Sequence, residues 1–168
     1  MSALLQEAAA KLLPDLLVEE EHLQFTRFSN GDALDLGCKL IDLAKQRQPF
    51  KAVTVAISRN DQLLFHHAMA GTTVDNENWI RRKTNTVNRL QHSSYYIGRL
   101  LASKGETTME KNYMVPVADY ACHGGAFPLF IRGVGCVGVI VVSGLRQDHD
   151  HELVTQGIRE YIAEQERQ

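Results

Sequence analysis

A histidine followed by two glycines, His123-Gly124-Gly125, is the first candidate for a ligand-binding group. The triplet stands directly before the apolar run Ala126–Ile131, which is typical of a buried strand. Because glycine lacks a Cβ, a ligand or a metal ion can closely approach the imidazole and the neighbouring backbone. A turn in which His123 merely covers the end of a strand uses the same residues, so the triplet alone leaves two interpretations open.

A basic cluster, Arg81-Arg82-Lys83, is the second candidate. Arg82 and Lys83 could pair with the carboxylates or phosphates of a ligand, with arginine supplying bidentate geometry. Glu77 lies four residues before Arg81, so an exposed ion pair on a solvated helix face explains the same charges. Three basic residues without interleaved aromatic side chains do not predict a nucleic-acid surface.

Five consecutive residues, Asp148-His149-Asp150-His151-Glu152, all carry potential metal ligands. Consecutive residues at the start of a helix point in different directions, and the HExxH spacing of helical zinc sites is missing. Acidic residues in a first helical turn, with Asp148 as the N-cap, also suit the helix dipole without any metal. A cation site built from Asp148, His149 and His151 is therefore the weaker alternative.

Composition narrows the classes of protein that fit. The chain has 168 residues, of which 44% are hydrophobic and 23% charged, and its net charge of −2 gives no reason to expect nucleic acid or an anionic membrane as a partner. The three cysteines show no CxxC spacing, so neither a disulfide framework nor a thiolate zinc site is indicated. We expect no signal peptide and no membrane span, which favours the cytoplasm. Phosphate-loop, dinucleotide and GxSxG motifs are missing, and catalysis stays an open question.

The elements that position these candidates follow from periodicity. Apolar alternation predicts about five strands, four of them paired as hairpins: His22–Phe28, Ala52–Ser58 with Gln62–Met69, and Ala126–Ile131 with Cys136–Val142. The last run is apolar on both faces, which is typical of a central strand. A Ser143-Gly144 step leaves this hairpin and Gly124-Gly125 enters it, so both ends offer backbone N–H groups to a ligand.

Helical spacing predicts the remaining elements. An apolar stripe covers residues 2–21, where Pro14 should interrupt the helix and begin a second short one. Further helices are expected over 29–48, 75–90 and 93–103, and from Asp148 onward. Residues 1–168 thus form a single α+β domain, with an antiparallel sheet of about five strands covered by helices on both faces.

Four stretches of the C-terminal half resemble the haem-degrading-domain superfamily: Gly124–Pro128, Gly133–Gly138, Val142–Gly144 and Gln147-Asp148. Trp79–Lys83 and Asp148–His151 resemble its cytoplasmic branch, found in bacteria and fungi. The resemblance implies a three-layer α/β/α sandwich in a profilin-like arrangement, assembled as homodimers or higher homo-oligomers. It also implies haem binding and iron-dependent haem breakdown in some members. Val141 stands where the superfamily has a glycine, and we expect its side chain to narrow a groove there.

Two main functions fit these observations. The first is the binding of a small anionic ligand or haem, through six residues: His123, Gly124, Gly125, Arg82, Lys83 and Ser143. The second is a non-enzymatic, homo-oligomeric scaffold or adaptor, in which the same polar groups hold subunits together. A metal-dependent hydrolase that uses Asp148–Glu152 is a third and weaker candidate.

Overall fold

A computed structural model describes residues 2–167, which form six helices and four strands. In chain order the elements are α1 (Ala3–His22), α2 (Asn30–Gln46), β1 (Thr54–Arg59), β2 (Gln62–Ala68), α3 (Val74–Leu90), α4 (Ser94–Ser103), α5 (Glu110–Tyr113), β3 (Ala126–Ile131), β4 (Gly135–Ser143) and α6 (Gln147–Gln165). Within residues 2–167, no helix combines the length and the apolar composition needed to cross a membrane.

The four strands form one antiparallel sheet in the order β2-β1-β4-β3. The predicted hairpins are confirmed, and β4 is a central strand, as its apolar residues on both faces indicated. Its neighbours hold it in register, with Ile140 opposite both Ile57 of β1 and Phe127 of β3. The end of β4 at Ser143 is therefore a rigid position from which a site can be built.

The fifth strand expected at His22–Phe28 is not formed. This segment makes one parallel bridge, in which Phe25 exchanges two backbone hydrogen bonds of 2.9 Å with Phe130 and Arg132. The alternating apolar residues of this segment reflect burial and not a strand, because Leu23 and Phe25 are both in the core. Ser29 then caps α2 through a reciprocal capping box with Asp32, so the chain turns into a helix before a strand can extend.

The predicted break at Pro14 is also wrong, because α1 continues through it from Ala3 to His22. Proline removes one hydrogen bond to the carbonyl of Ala10. Ala10 and Pro14 are both exposed, so water can reach the carbonyl that is left without an N–H partner.

Helices cover both faces of the sheet, which confirms the three-layer α/β/α arrangement. On one face, α2 and α6 enclose the larger core around Phe25, Phe127 and Ile140. On the other face, α3 packs on β1 and β4, and Val141 is buried in this smaller cluster. The amide nitrogen of Asn76 donates to the carbonyl of Ser143 over 3.3 Å, which ties the start of α3 to the end of β4.

Candidate functional site

A cavity of about 230 Å³ lies where the start of α3, the entry into β3, the end of β4 and the start of α6 meet. Four of the six predicted ligand-binding residues line it: Lys83, His123, Gly124 and Ser143. Trp79 and Asp150 also line the cavity and contact these residues. Residues far apart in the chain therefore converge on one cleft.

Lys83 is the buried cation of this cleft. Its Nζ donates to the carbonyl of Val142 over 3.0 Å and to Oδ2 of Asp150 over 2.9 Å. Both side chains of the ion pair are 3% exposed. Burial lowers the pKa of the Lys83 ammonium and raises the pKa of the Asp150 carboxyl, because removal from water disfavours each charged form.

The solvated helix face considered for the basic cluster therefore does not describe Lys83. Lys83 follows Ile80 by three residues and precedes Val87 by four. This helical spacing places it on the buried side of α3. That spacing was visible in the sequence. Its partner Asp150 lies 67 residues away, and no local pattern connects the two.

Asp150 also organises the turn that leaves β4. Its Oδ1 accepts the backbone N–H of Leu145 over 2.9 Å, so one carboxylate holds both Lys83 and the turn into α6. The sequence alone indicates Asp150 as one of five consecutive potential metal ligands or as an acidic residue in a first helical turn. The structure adds it to the site as the group that positions Lys83.

His123 lies at the mouth of the cleft. Its ring meets Trp79 edge to face, with centroids 4.9 Å apart. Partial burial and the charges of Lys83, Arg82 and Arg99 lower the pKa of His123, which favours the neutral imidazole. A neutral imidazole offers one donor and one acceptor nitrogen to a ligand.

The two glycines are explained by packing within the chain. Gly125 has φ +120°, and a Cβ there would collide with the carbonyl of Val142 and lie 2.7 Å from Nζ of Lys83. A Cβ at Gly124 would collide with the carbonyl of Gln147. Close approach of the chain to β4 and α6 thus requires both glycines whether or not a ligand binds.

Arg82 and Gly125 are the two predicted ligand residues that do not line the cavity, and Arg82 makes its contacts elsewhere. Its Nε donates to the carbonyl of Val117 over 3.0 Å, and its Nη2 donates to the carbonyl of Tyr120 over 3.3 Å. Its guanidinium carbon lies 4.7 Å from the ring centroid of Trp79. Arg82 therefore anchors the loop after α5 and supports the site through Trp79.

The side chains considered for a cation site point to different places. Asp148 pairs with Arg146, His149 is exposed, and Nε2 of the buried His151 lies 2.8 Å from Oε2 of Glu19. Across residues 2–167, no group of three or more His, Cys, Asp or Glu side chains is arranged to hold a metal ion. The cluster at the start of α6 therefore acts in packing and ion pairing in this structure. The predicted N-cap role of Asp148 is wrong, because Arg146 is the N-cap residue and no side chain caps the first turn.

A known protein family matches the part of the chain that contains the whole cleft. A family model described as "Haem degrading protein HbpS-like" matches residues 28–159. UPF0303 protein SCO2848 of Streptomyces coelicolor is 42% identical over 155 residues, which are 92% of this chain and 96% of that protein. A UPF0303 protein of Psychromonas ingrahamii is 44% identical over 151 residues, or 89% of this chain and 92% of that protein.

Solved structures agree with this grouping. The crystal structure of Ybr137w superposes with a TM-score of 0.84 at 32% identity, covering 91% of this chain and 88% of that one. The crystal structure of the PduOC:heme complex gives a TM-score of 0.66 at 16% identity, covering 79% of this chain and 93% of that one, a likeness of fold alone. The resemblance found in the sequence is thereby confirmed, and the chain belongs to the HbpS-like haem-degrading family, among its UPF0303 proteins.

Proposed function

We propose that this protein binds a small anion in the cavity between Lys83 and His123. The observation that carries the proposal is the hydrogen bonding of Lys83. An ammonium has three N–H donors, and within residues 2–167 two acceptors, Val142 and Asp150, lie within hydrogen-bonding distance of Nζ. Lys83 also lines the cavity, and an anionic oxygen there is the acceptor that suits its third N–H best.

The charges around the cavity favour an anion as well. The carboxylate of Asp150 is already paired with Lys83, and that of Asp75 accepts the indole N–H of Trp79 over 3.1 Å. Arg82 and Arg99 lie close enough to lower the pKa of His123. A carboxylate or phosphate bound beside His123 would be attracted to these two arginines and to Lys83, and would accept a hydrogen bond from the imidazole.

The description of the family and the PduOC:heme complex suggest haem as a ligand. A neutral His123 suits an axial ligand, but the cavity of about 230 Å³ is smaller than the 300–1,000 Å³ typical of drug-sized ligands. It does not enclose a porphyrin, so the residues present do not fit an enclosed haem. The small anion is the better match to this cleft.

Titration of the His123 imidazole resonances with phosphate and with acetate tests the proposal. We expect saturable chemical-shift changes in the wild-type protein. Calorimetry should show that His123→Ala no longer binds the anions. His67→Ala should still bind them, because this exposed histidine lies on β2 outside the cleft. A parallel hemin titration followed by absorbance should show no saturable Soret shift. Saturable hemin binding that requires His123 would replace the small anion with haem, and the absence of any anion response would contradict the proposal.

The compartment is part of the proposal. All three cysteines, Cys38, Cys122 and Cys136, are free thiols, and unpaired cysteines are typical of a reducing compartment. This supports the cytoplasm as the place of action. Oxidised cysteines in protein isolated from its own cells would argue against it.

A homo-oligomeric scaffold is the second candidate, supported by the exposed side of α1. Five apolar side chains of this helix are 41–79% exposed: Leu4, Leu5, Leu12, Leu17 and Val18. Exposed apolar patches on a helix mark association surfaces. Light scattering after size exclusion should give an oligomer that Leu12→Lys weakens and Leu63→Lys, an exposed apolar position on β2, does not. A monomer at all concentrations would rule out this candidate.

A further inference from the structure

A second, smaller cavity of about 170 Å³ adjoins the first. His123 and Gln147 line both cavities and separate them. The outer wall of the second cavity is formed by Arg99 of α4 together with Thr107 and Cys122. The imidazole of His123 is therefore exposed to two neighbouring spaces, one next to Lys83 and the other next to Arg99.

Arg99 lacks an acceptor that its chemistry requires. Its Nε is buried and has no hydrogen-bond partner in the part of the chain from Ser2 to Arg167. The guanidinium carbon lies 5.1 Å from the ring centroid of Tyr95, so the aromatic face holds the group in place but accepts no strong hydrogen bond. Because arginine stays charged, its guanidinium favours an anionic acceptor in the cavity that it lines.

The acidic side chain of this cavity does not fill that role. Glu106 lies among the lining residues, but its carboxylate pairs with Lys111 over 3.7 Å. The thiol of Cys122 donates to the backbone carbonyl of Thr107 over 3.7 Å, and both residues line the cavity. The guanidinium of Arg99 suits a carboxylate or a phosphate, because arginine binds both in bidentate fashion.

We infer that the ligand carries two anionic groups, one bound by Lys83 and the other by Arg99, with His123 between them. The inference rests on the proposed anion site and adds the chemical class of its occupant. The small volumes of the two cavities limit the ligand to a short linker, as in a dicarboxylic acid or a phosphorylated acid. His123 then contacts the linker, where a neutral imidazole can accept a hydrogen bond from a hydroxyl or move a proton.

The test compares one anionic group with two. The probes are acetate, malonate, succinate and glutarate, titrated into wild-type protein, Arg99→Gln and the control Arg89→Gln, with the His123 resonances as the readout. Arg89 lies on α3 outside both cavities and contacts the carbonyl of Tyr113. We expect at least one dicarboxylate to bind about ten-fold more tightly than acetate, from one additional charge-assisted hydrogen-bonded contact.

Arg99→Gln should reduce the affinity for that dicarboxylate to about the level of acetate and reduce the affinity for acetate much less, since acetate loses only the longer-range attraction of this charge. Arg89→Gln should change neither. Retained acetate binding also shows that the Arg99 variant is folded. Equal affinity of acetate and all three dicarboxylates would overturn the two-group ligand and leave the single-anion site standing. A wild-type protein that binds none of the four would overturn both proposals.

Discussion

Nζ of Lys83 and Oδ2 of Asp150 lie 2.9 Å apart, and each side chain is 3% exposed. The pair joins α3 to the first turn of α6 behind the end of β4. A charged contact so deeply buried is stable only while both partners are present. The stability of the fold and the shape of the cleft therefore depend on the same two residues.

Replacing Lys83 tests this dependence. Lys83→Met leaves the Asp150 carboxylate buried without its cation, and we expect the free energy of unfolding to fall by about 3–5 kcal/mol. Urea unfolding followed by circular dichroism measures the change. The control Lys11→Met removes an exposed pair with Glu7, with side chains 73% and 62% exposed, and should cost less than about 1 kcal/mol. Similar small losses in both variants would show that the buried pair contributes little.

The crowding at Gly125 predicts that a substitution there lowers stability more than its positive φ alone would. Gly125→Ala and Gly133→Ala both place a side chain at positive φ, but a Cβ at Gly133 meets no atom within 4 Å. We expect Gly133→Ala to cost about 1–3 kcal/mol from strain. Gly125→Ala should cost a further 1–3 kcal/mol, roughly the penalty of overpacking against Val142 and Lys83. Equal losses in thermal or urea unfolding would contradict the close packing described for Gly125.

The cations around His123 predict its titration. Its pKa should lie below the usual value of about 6.5, because burial and the charges of Lys83, Arg82 and Arg99 disfavour the imidazolium. Arg99→Gln should raise this pKa by removing one of those charges, and Arg89→Gln should not. Saturating phosphate should also raise it, since an anion stabilises the protonated ring. NMR titration of the imidazole resonances reads out all three changes.

The contact between Glu20 of α1 and His92, in the link before α4, predicts a loss of stability as pH rises. Nδ1 of His92 lies 2.6 Å from Oε2 of Glu20, whose other oxygen accepts the N–H of Ser93 over 2.7 Å. The hydrogen bond to Glu20 raises the pKa of His92 above its unfolded value. Protonated His92 therefore stabilises the fold fully below the unfolded pKa, and this contribution disappears as pH rises through the folded pKa.

Because the His92 side chain is 40% exposed, we expect a contribution of less than about 1 kcal/mol. Urea unfolding at about pH 5.5 and about pH 8.5, on either side of the usual histidine pKa, measures it. His92→Gln should remove that part of the pH dependence, whereas His67→Gln should retain it. An unchanged pH profile in His92→Gln would assign the dependence to other groups.

Local pattern was enough to predict much of the architecture. The cap-rich stretch at Ser29 starts a helix because side-chain oxygens satisfy the first free N–H groups, and this depends on residues three positions apart. The hairpin of β3 and β4 follows from two apolar runs joined by a short glycine-containing link. The same local signals placed His123, Gly124 and Ser143 at the ends of that hairpin, where the structure finds the cavity.

Contacts between distant segments decided the rest. Arg82 and Lys83 are adjacent in sequence, yet one holds a loop at the surface and the other forms a buried ion pair with Asp150. No local pattern in the sequence pointed to Arg99, because the cavity that it lines is shared with His123, which lies far away in the chain. The sequence by itself determined the elements and which residues have reactive chemistry, since both are local properties. Only the tertiary structure decided which charges are buried and which lack a partner, because these depend on desolvation by segments far apart in the chain.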